Sequence, residues 1–394
     1  MITPYNDTIE DFIQALNSGK RQHARITYML KSIEFTDDDI TSNGIQISSY
    51  LGDDNTFRFG YSISKQITFS LIGSNKMSGL NLRNEFKVEF GYDDDLSVTH
   101  WALFGYFKSN DIKYDQLNNI YTIVANDRMQ KFDVDAKPFI DSIDWDSPPT
   151  NSVLFDRLCS YINIEYVFTN NAQFVMYYYD KDAVKEIGDC RTLLNYFLES
   201  MLANGKINQD GKLEVFRVST FVMFPLYPVY VDDQYCYSVD LVEIKRTPTN
   251  IEYIDLVDYT WSELNFTEYG ELYDTNVDYY YRSFHAVYKD SLDISFPSSV
   301  PNNGEYLIAN NPFVTVLNST TVWMCYQVIG QMLLEYRSTL ETMDVCALCE
   351  SGDIVMYMKN VGGVITAIKI PIFACELTWN GSFTCRISSP NGLA

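Results

Sequence analysis

Hydrophobic positions recur along the chain with two different periods. Near the start, Ile9, Phe12, Ile13 and Leu16 stand three or four residues apart, Asp7 or Thr8 can cap, Glu10 lies in the first turn and Gly19 ends the run. This predicts a helix over Asp7–Ser18. From Arg25 the period becomes two: Arg25–Leu30, Gly44–Ile47, Gln66–Leu71, Phe86–Phe90, His100–Lys108 and Tyr121–Ala125 place β-branched or aromatic residues on alternate positions. Acidic and glycine-bearing clusters such as Asp37-Asp38-Asp39 and Asp93-Asp94-Asp95 separate them. Short strands at hairpin spacing predict an antiparallel barrel or sandwich over 25–135.

The middle of the chain mixes periods. After Pro148-Pro149, a short amphipathic helix is expected at Val153–Cys159. A stronger one is expected over Asp189–Met201, with Leu193, Leu194, Phe197, Leu198 and Met201 on one face and a left-handed cap at Asn204-Gly205. Asp210-Gly211 then turns a hairpin between Lys206–Asn208 and Lys212–Phe216. Residues 236–300 are strand-rich and acidic, with Tyr279-Tyr280-Tyr281 among them, and a helix over Thr320–Tyr336 precedes a second β region. That region holds Asp344–Cys349, Ile354–Lys359, Val364–Ile372 and Ser382–Ile387, with turns at Gly362-Gly363 and Asn380-Gly381. The expected fold class is therefore mainly β with an α+β insert: a helical arm over 1–24, an antiparallel barrel over 25–135, a mixed region over 136–312, and a helix with a second, separate barrel over 313–394. Part of 223–251 is assignable to the second barrel. The arm, with Lys20, Arg21 and Arg25 behind it, is expected to dock on a neighbouring subunit rather than join the core.

Charge and composition narrow the function. The 394 residues carry 52 Asp and Glu against 29 Lys and Arg, a formal charge of −23, which repels phosphate backbones and argues against sequence-driven nucleic-acid binding. Tyr, Phe and Trp supply 15% of the residues, so the chain is expected to be folded throughout. The first residues lack the basic and apolar regions of a signal peptide. The apolar run Phe221–Val231 is broken by Pro225 and Pro228 and falls short of the ~20 residues of a membrane span, so no membrane partner is expected.

Candidate chemistry is sparse. Cys346 and Cys349 have tight spacing, but Cys375 and Cys385 stand in strand-like sequence, so buried strand thiols are favoured over zinc; Cys159, Cys190, Cys236 and Cys325 are read likewise as reduced. Asn208–Gly211 has a calcium-loop look, but Arg217 stands where a bidentate Glu is required. His23, His100 and His285 have no nucleophile or acid motif beside them, and no phosphate-binding, dinucleotide or zinc-protease motif occurs. No cofactor and no metal are expected. Hydrolysis by paired carboxylates is left open by the sequence, since pairing geometry is invisible in it.

Four segments, in order, resemble the baseplate-hub or tail-tip hub proteins of bacteriophage tails and contractile injection machines. The first runs from Phe59–Phe69 through Trp101–Phe107 to Thr122–Met129, whose Asp127 and Met129 are similar to the family's "a-x-D-x-M" close of the first barrel. Next, Leu193–Phe197 with Asn208–Leu213, including Asp210 and Gly211, resembles a helix followed by an "R-D-G-K-L" hairpin, with Gln209 in place of Arg. Tyr306–Phe313, with Asn311 and Pro312, looks like the "N-N-P" segment. Glu350–Val355 with Gly352 and Asp353, and Ile370–Ile372 through Trp379–Gly381 ending on Gly381, resemble the "G-D" strand and the ending of the second barrel.

The resemblance implies two tail-tube-like barrels per chain and a homotrimer that presents six, matching a six-fold tube to a three-fold spike or fibre. It implies a tail-tube or distal-tail partner above and a spike, fibre or tail-lysin protein below. The genome would pass through an acidic lumen without specific binding, in a virion tail tip assembled from protein made in the host bacterial cytoplasm. This reading is non-enzymatic. The alternatives are a tail-tip carbohydrate- or receptor-binding protein, suggested by the aromatic surplus, and a tail-associated glycan hydrolase.

Overall fold

The computed structural model describes residues 4, 5, 7, 11, 12, 15, 16, 18, 20–52, 56–77, 80, 84–169, 172, 179–217, 311–313, 349–361 and 364–388. It also describes the strands at 229–232, 236–239, 242–244, 258–259, 263–270, 280–288, 292–295, 305–308, 338–340, 343–345 and 392–393. The helix expected over Thr320–Tyr336, the Gly362-Gly363 turn and Cys346 lie outside the described residues.

The period-two segments form strands where their alternation predicts them. These are β1 (Gln22–Tyr28), β2 (Ile33–Phe35), β3 (Ile40–Tyr50), β4 (Ser62–Ile63), β5 (Gln66–Ile72), β6 (Glu85–Asp93), β7 (Thr99–Asp115) and β8 (Ile120–Asp127). In β1 every second residue is buried, so Ala24, Ile26 and Tyr28 face one core while His23, Arg25 and Thr27 face away. The helical periods give α1 (Asn151–Ile162) and, after β9 (Tyr166–Phe168), α2 (Cys190–Ser200). Then follow β10 (Asn204–Ile207), β11 (Leu213–Phe216), β12 (Val229–Asp232), β13 (Cys236–Val239), β14 (Met343–Val345), β15 (Ile354–Val361), β16 (Val364–Pro371), β17 (Ala374–Trp379) and β18 (Phe383–Ser388). A separate antiparallel meander holds Asp258–Tyr259, Glu263–Gly270, Tyr280–Tyr288, Leu292–Ser295 and Glu305–Ile308.

One sheet of eleven strands runs β13-β14-β18-β17-β3-β5-β8-β7-β6-β1-β2. The N-terminal and C-terminal β regions meet in this sheet. The C-terminal hairpin β17–β18 pairs along the N-terminal strand β3, with Cys375 opposite Ser49, Leu377 opposite Ile47 and Trp379 opposite Ile45. The physical reason is an open edge: among the described N-terminal strands β3 pairs with β5 alone, so its second row of backbone groups is satisfied from the far end of the chain.

The sheet also rolls over on itself. Five strands stand between β18 and β6 in the sheet order, yet the Phe383 and Phe90 rings meet edge-on with centroids 4.8 Å apart, and Phe383 N donates to Gln22 Oε1 of β1 at 2.6 Å. Inside the roll, Ile26, Tyr28, Phe69, Phe86, Phe90, Phe104 and Phe107 pack with Leu377, Trp379 and Phe383 in one core. Each such side chain contributes about 1.5–3 kcal/mol of burial. Phe12 and Leu16, only 3% and 2% exposed, lie in the same core. Phe12 and Leu16 of the N-terminal segment thus belong to their own chain's core, against the expectation that this segment stays outside it, with the Phe12 ring 5.3 Å from that of Tyr92.

The β3–β17 approach depends on one glycine. Gly44 has φ +66°, and a Cβ there would stand 1.8 Å from the carbonyl oxygen of Trp379. Gly44→Ala is expected to destabilise the chain by at least ~1 kcal/mol through the left-handed backbone alone, with the blocked approach added to it. Thermal denaturation of the variant checks this.

The middle region packs α1 and α2 on a small sheet of order β9-β11-β10-β4. Its core joins Met129 and Phe132 to Leu154, Phe155, Leu158, Leu193, Leu194, Phe197, Leu198 and Phe313. Asp189 caps α2 by accepting from Thr192 N at 2.8 Å. The left-handed residue after α2 is the buried Leu202 (φ +50°), and Asn204-Gly205 begins β10, correcting the expected cap. Gly205 is small for a different reason: a Cβ there would press on Leu198 at 3.0 Å and Leu213 at 3.3 Å. In the C-terminal half, β12 pairs parallel with β15 and β13 antiparallel with β14, so residues of 229–239 pair with strands beyond 340.

Candidate functional site

The charged residues that interrupt the apolar pattern meet where the rolled sheet, the middle region and the C-terminal half touch. Lys65 stands between β4 and β5, Lys206 in the fully buried strand β10, and Glu350 and Asp353 in the turn that leads into β15. Lys65 Nζ donates to Glu350 Oε1 at 2.5 Å. Lys206 Nζ donates to Glu350 Oε2 at 3.3 Å and to Asp353 Oδ1 at 3.2 Å. Glu350 is 4% exposed and the lysines are equally enclosed. Two ammonium groups thus face two carboxylates.

The backbone around this set is held as tightly as the charges. Glu350 N donates to Asp353 Oδ2, Gly352 N to Ile372 O and Ile372 N to Asp353 O. Ser351 Oγ donates to Ser49 O of β3 at 2.8 Å, so the turn is fastened to the rolled sheet as well. Gly352 takes φ +87°, and a Cβ there would stand 2.6 Å from the Phe216 ring. No side chain but hydrogen fits that contact.

Asp127 closes the same corner from the other side. Its carboxylate caps the short 3-10 turn after β8, accepting from Met129 N at 3.1 Å and from Lys65 N at 3.1 Å, while its own N–H donates to Lys65 O. Met129 is fully buried, and its carbonyl accepts from Arg191 Nη2 at 2.7 Å. Arg128, between them, makes a two-pronged bond to Glu85 at 2.8 Å on each arm and lies against Gly211, where a Cβ would meet Nη1 at 2.2 Å. Asp210 is exposed at the tip of that hairpin turn.

Asn311 ties a further segment in: its Nδ2 donates to Tyr196 O and to Glu199 Oε2, and its Oδ1 accepts from Phe313 N. Pro312 O accepts from Asp180 N at 2.7 Å. Of the nine residues singled out in the sequence, Asp127, Gly352 and Asp353 gather at the ion set, while Met129 accepts from Arg191 and Gly211 lies against Arg128. Asn311 and Pro312 hold the α2 side. Gly381 (φ +104°) turns β17 into β18 with no atom within 4 Å of where its Cβ would be. The sequence reading missed Lys65, Lys206, Glu350, Arg128 and Glu199. Lys206 carried a usable signal, a charge at a strand position flanked by buried residues on both sides.

Burial pushes the Asp127 carboxyl up to about 6, with the Lys65 charge opposing it. For Glu350, burial would raise the carboxyl, but Lys65 and Lys206 outweigh it and hold it well below the usual range; for Asp353, Lys206 does the same. Burial would lower Lys206, and Asp353 and Glu350 outweigh that. The consequences for stability are opposed. Glu350 and Asp353 contribute stability above their unfolded values of 4.5 and 3.8, lost as pH falls. Asp127, raised on folding, contributes stability below 3.8 that is lost as pH rises through about 6. Asp127→Asn is therefore expected to flatten the rising-pH loss between about pH 4 and 7 while keeping the acid limb. Urea midpoints measured across pH test this.

Chemically, the junction offers paired charges in a closed interior. Cys375 and Cys385 are buried strand thiols 3.2 Å apart, and Cys375 Sγ donates to Cys349 O. Among the described residues, no three His, Cys, Asp or Glu side chains are arranged to hold a metal ion, and no helix is long and apolar enough to cross a membrane.

No protein-family model and no curated protein sequence matches the chain. Solved structures align along nearly all of it. The tail protein from Neisseria meningitidis MC58 is 11% identical, with 95% of this chain and 100% of that chain covered at a TM-score of 0.50. The 43 kDa tail protein of prophage MuSo2 from Shewanella oneidensis is 9% identical, with the same coverage at 0.47. A prophage tail protein from Listeria monocytogenes EGD-e is 12% identical over 94% of this chain and 95% of that chain at 0.44. At such identities the likeness is one of fold: the chain is mainly β and shares the fold of the Neisseria tail protein over 95% of its length.

Proposed function

We propose that the chain is a non-enzymatic structural subunit of a bacteriophage tail, a trimeric hub at the distal end of the tail tube. In this reading it adapts the six-fold tube to a three-fold spike or fibre, with a tube or distal-tail protein above and a spike, fibre or lysin protein below. The observation that carries the reading is the fold match to the Neisseria meningitidis tail protein over 95% of this chain. Two features support it. The β17–β18 hairpin and the buried ion set join the N-terminal and C-terminal parts of the chain, as an adaptor under load requires. The acid excess of 52 over 29 gives a channel wall that repels a polyanionic genome diffusely rather than gripping it.

Because that repulsion is shared among many screened charges, changing one exposed acid, such as Asp95 or Asp210, to its amide is expected to leave assembly unchanged. Light scattering of the purified protein tests the trimer: the expected mass is three times the 45.5 kDa of the chain. A 45.5 kDa particle at every concentration contradicts it.

A second reading, a tail-tip carbohydrate-binding protein, is favoured by one patch. Tyr114 is half exposed and stacks on Tyr121 with centroids 4.4 Å apart, beside Asn118 and Asn119 at the β7–β8 tip. Binding of host envelope glycans that is lost in Tyr114→Ala supports this reading. Release of glycan fragments that stops on changing one Asp or Glu supports a hydrolase instead.

A further inference from the structure

Two histidines sit at the rim of the rolled sheet where β6 turns into β7, each between two carboxylates. His23 has Asp37 at 2.6 Å from Nδ1 and Asp93 at 2.9 Å from Nε2. His100 has Asp7 at 2.9 Å from Nδ1 and Asp94 at 3.3 Å from Nε2. The two partners of His100 come from different parts of the chain. Asp94 belongs to the β6–β7 turn, where its carboxylate also accepts from Leu96 N and Val98 N. Asp7 belongs to the N-terminal strap, which crosses β7 through a Pro4–Ala102 bridge, a Tyr5 N to Trp101 O bond and a Tyr5 Oη to Glu89 bond. Beyond the strap, Phe12 and Leu16 enter the core.

We propose that His100 is a pH-sensitive latch, whose imidazolium clips Asp7 of the N-terminal strap to the Asp94 turn and whose deprotonation loosens the strap from the rim. The geometry demands the charged ring. Only an imidazolium donates from both nitrogens; a neutral ring donates from one and turns a lone pair toward the other carboxylate. Deprotonation therefore leaves one carboxylate without a donor from the ring and two negative charges with no positive charge between them.

The surrounding groups leave His100 as the deciding one. Tyr92 stacks on its ring at 5.0 Å and donates to Asp7 Oδ2 at 3.1 Å. Burial and Asp7 push the Tyr92 phenol up to about 12, so it remains a donor throughout. Lys20 lies 5.6 Å over the Tyr92 ring and 3.6 Å from Asp95, while Asp11 and Arg21 add one charge of each sign to the same rim. Burial would lower His100, but Asp94 and Asp7 outweigh it and raise it above its ordinary value. The strap is thus held fully below about pH 6.5 and is released as pH rises through the raised value. The latch is independent of the tail-hub reading and stands for any role of the chain.

The test is hydrogen exchange of the peptide spanning residues 1–12 in the full-length protein, corrected for intrinsic rates, between about pH 5.5 and 8.5. Protection is expected to fall several-fold across that range, by roughly tenfold for each unit by which the His100 value is raised. In His100→Gln, protection should be low and independent of pH, whereas His23→Gln should keep the fall. An NMR titration of the His100 ring supplies the second measurement, with a midpoint above 6.5 in wild type and a lower one in Asp94→Asn. A flat wild-type profile, a fall that persists in His100→Gln, or a ring midpoint at or below 6.5 overturns the latch.

Discussion

Lys206→Met is expected to remove about 3–5 kcal/mol of stability, because it takes from the buried carboxylates of Asp353 and Glu350 the ammonium group that bonds to both. The size follows from what is left behind rather than from what the pairs contribute. Two carboxylates and two ammonium groups in a closed interior roughly balance their desolvation against their attraction, whereas an unpaired buried charge has nothing to set against it. The companion variant Lys206→Met with Asp353→Leu removes one ion of each sign and should recover most of the loss. A denaturant-unfolding cycle over the single and double variants measures this coupling. Near-additive losses would mean that the ion set holds nothing together.

Phe383→Ala is expected to have a comparable effect, about 3–5 kcal/mol, and to be felt in an unexpected place. The residue lies in β18, near the C-terminus, yet its ring packs on Phe90 and its N–H is bonded to Gln22. The cavity therefore opens among N-terminal strands. Hydrogen exchange should accelerate in β1 and β6 as much as in β17 and β18. Acceleration confined to the C-terminal strands would mean that the Phe383 contact does not couple the two β regions.

The strands and helices were legible because each depends on local alternation. The acid caps and the Asp210-Gly211 turn act within four residues, and the period of two at Gln22–Tyr28 needs no distant partner to be read. What the sequence hid is long-range. Nothing in Ala374–Trp379 says that its edge partner is Ile45–Ser49 of the same sheet, and the apolar face of the N-terminal helix reads the same whether Phe12 packs on its own Tyr92 or on another subunit. The junction was half visible. Asp127, Gly352 and Asp353 stood out through their turns, while Glu350 and Lys65 lay inside quoted segments without a mark, since the charge that pairs with each is more than 140 residues away. The misplaced cap at Asn204-Gly205 has the same root: Gly205 answers to helix–strand packing on Leu198, which local turn chemistry does not report.

The proposed placement of three copies at the distal end of a tail tube is best tested by electron cryomicroscopy of particles that carry this chain. Three copies are expected to close the tube end, with the rolled sheet of each copy and its C-terminal β region together lining six positions around an acidic channel. Density for the chain anywhere other than the tube end, a ring with any number of copies other than three, or a channel walled by lysine and arginine would contradict it.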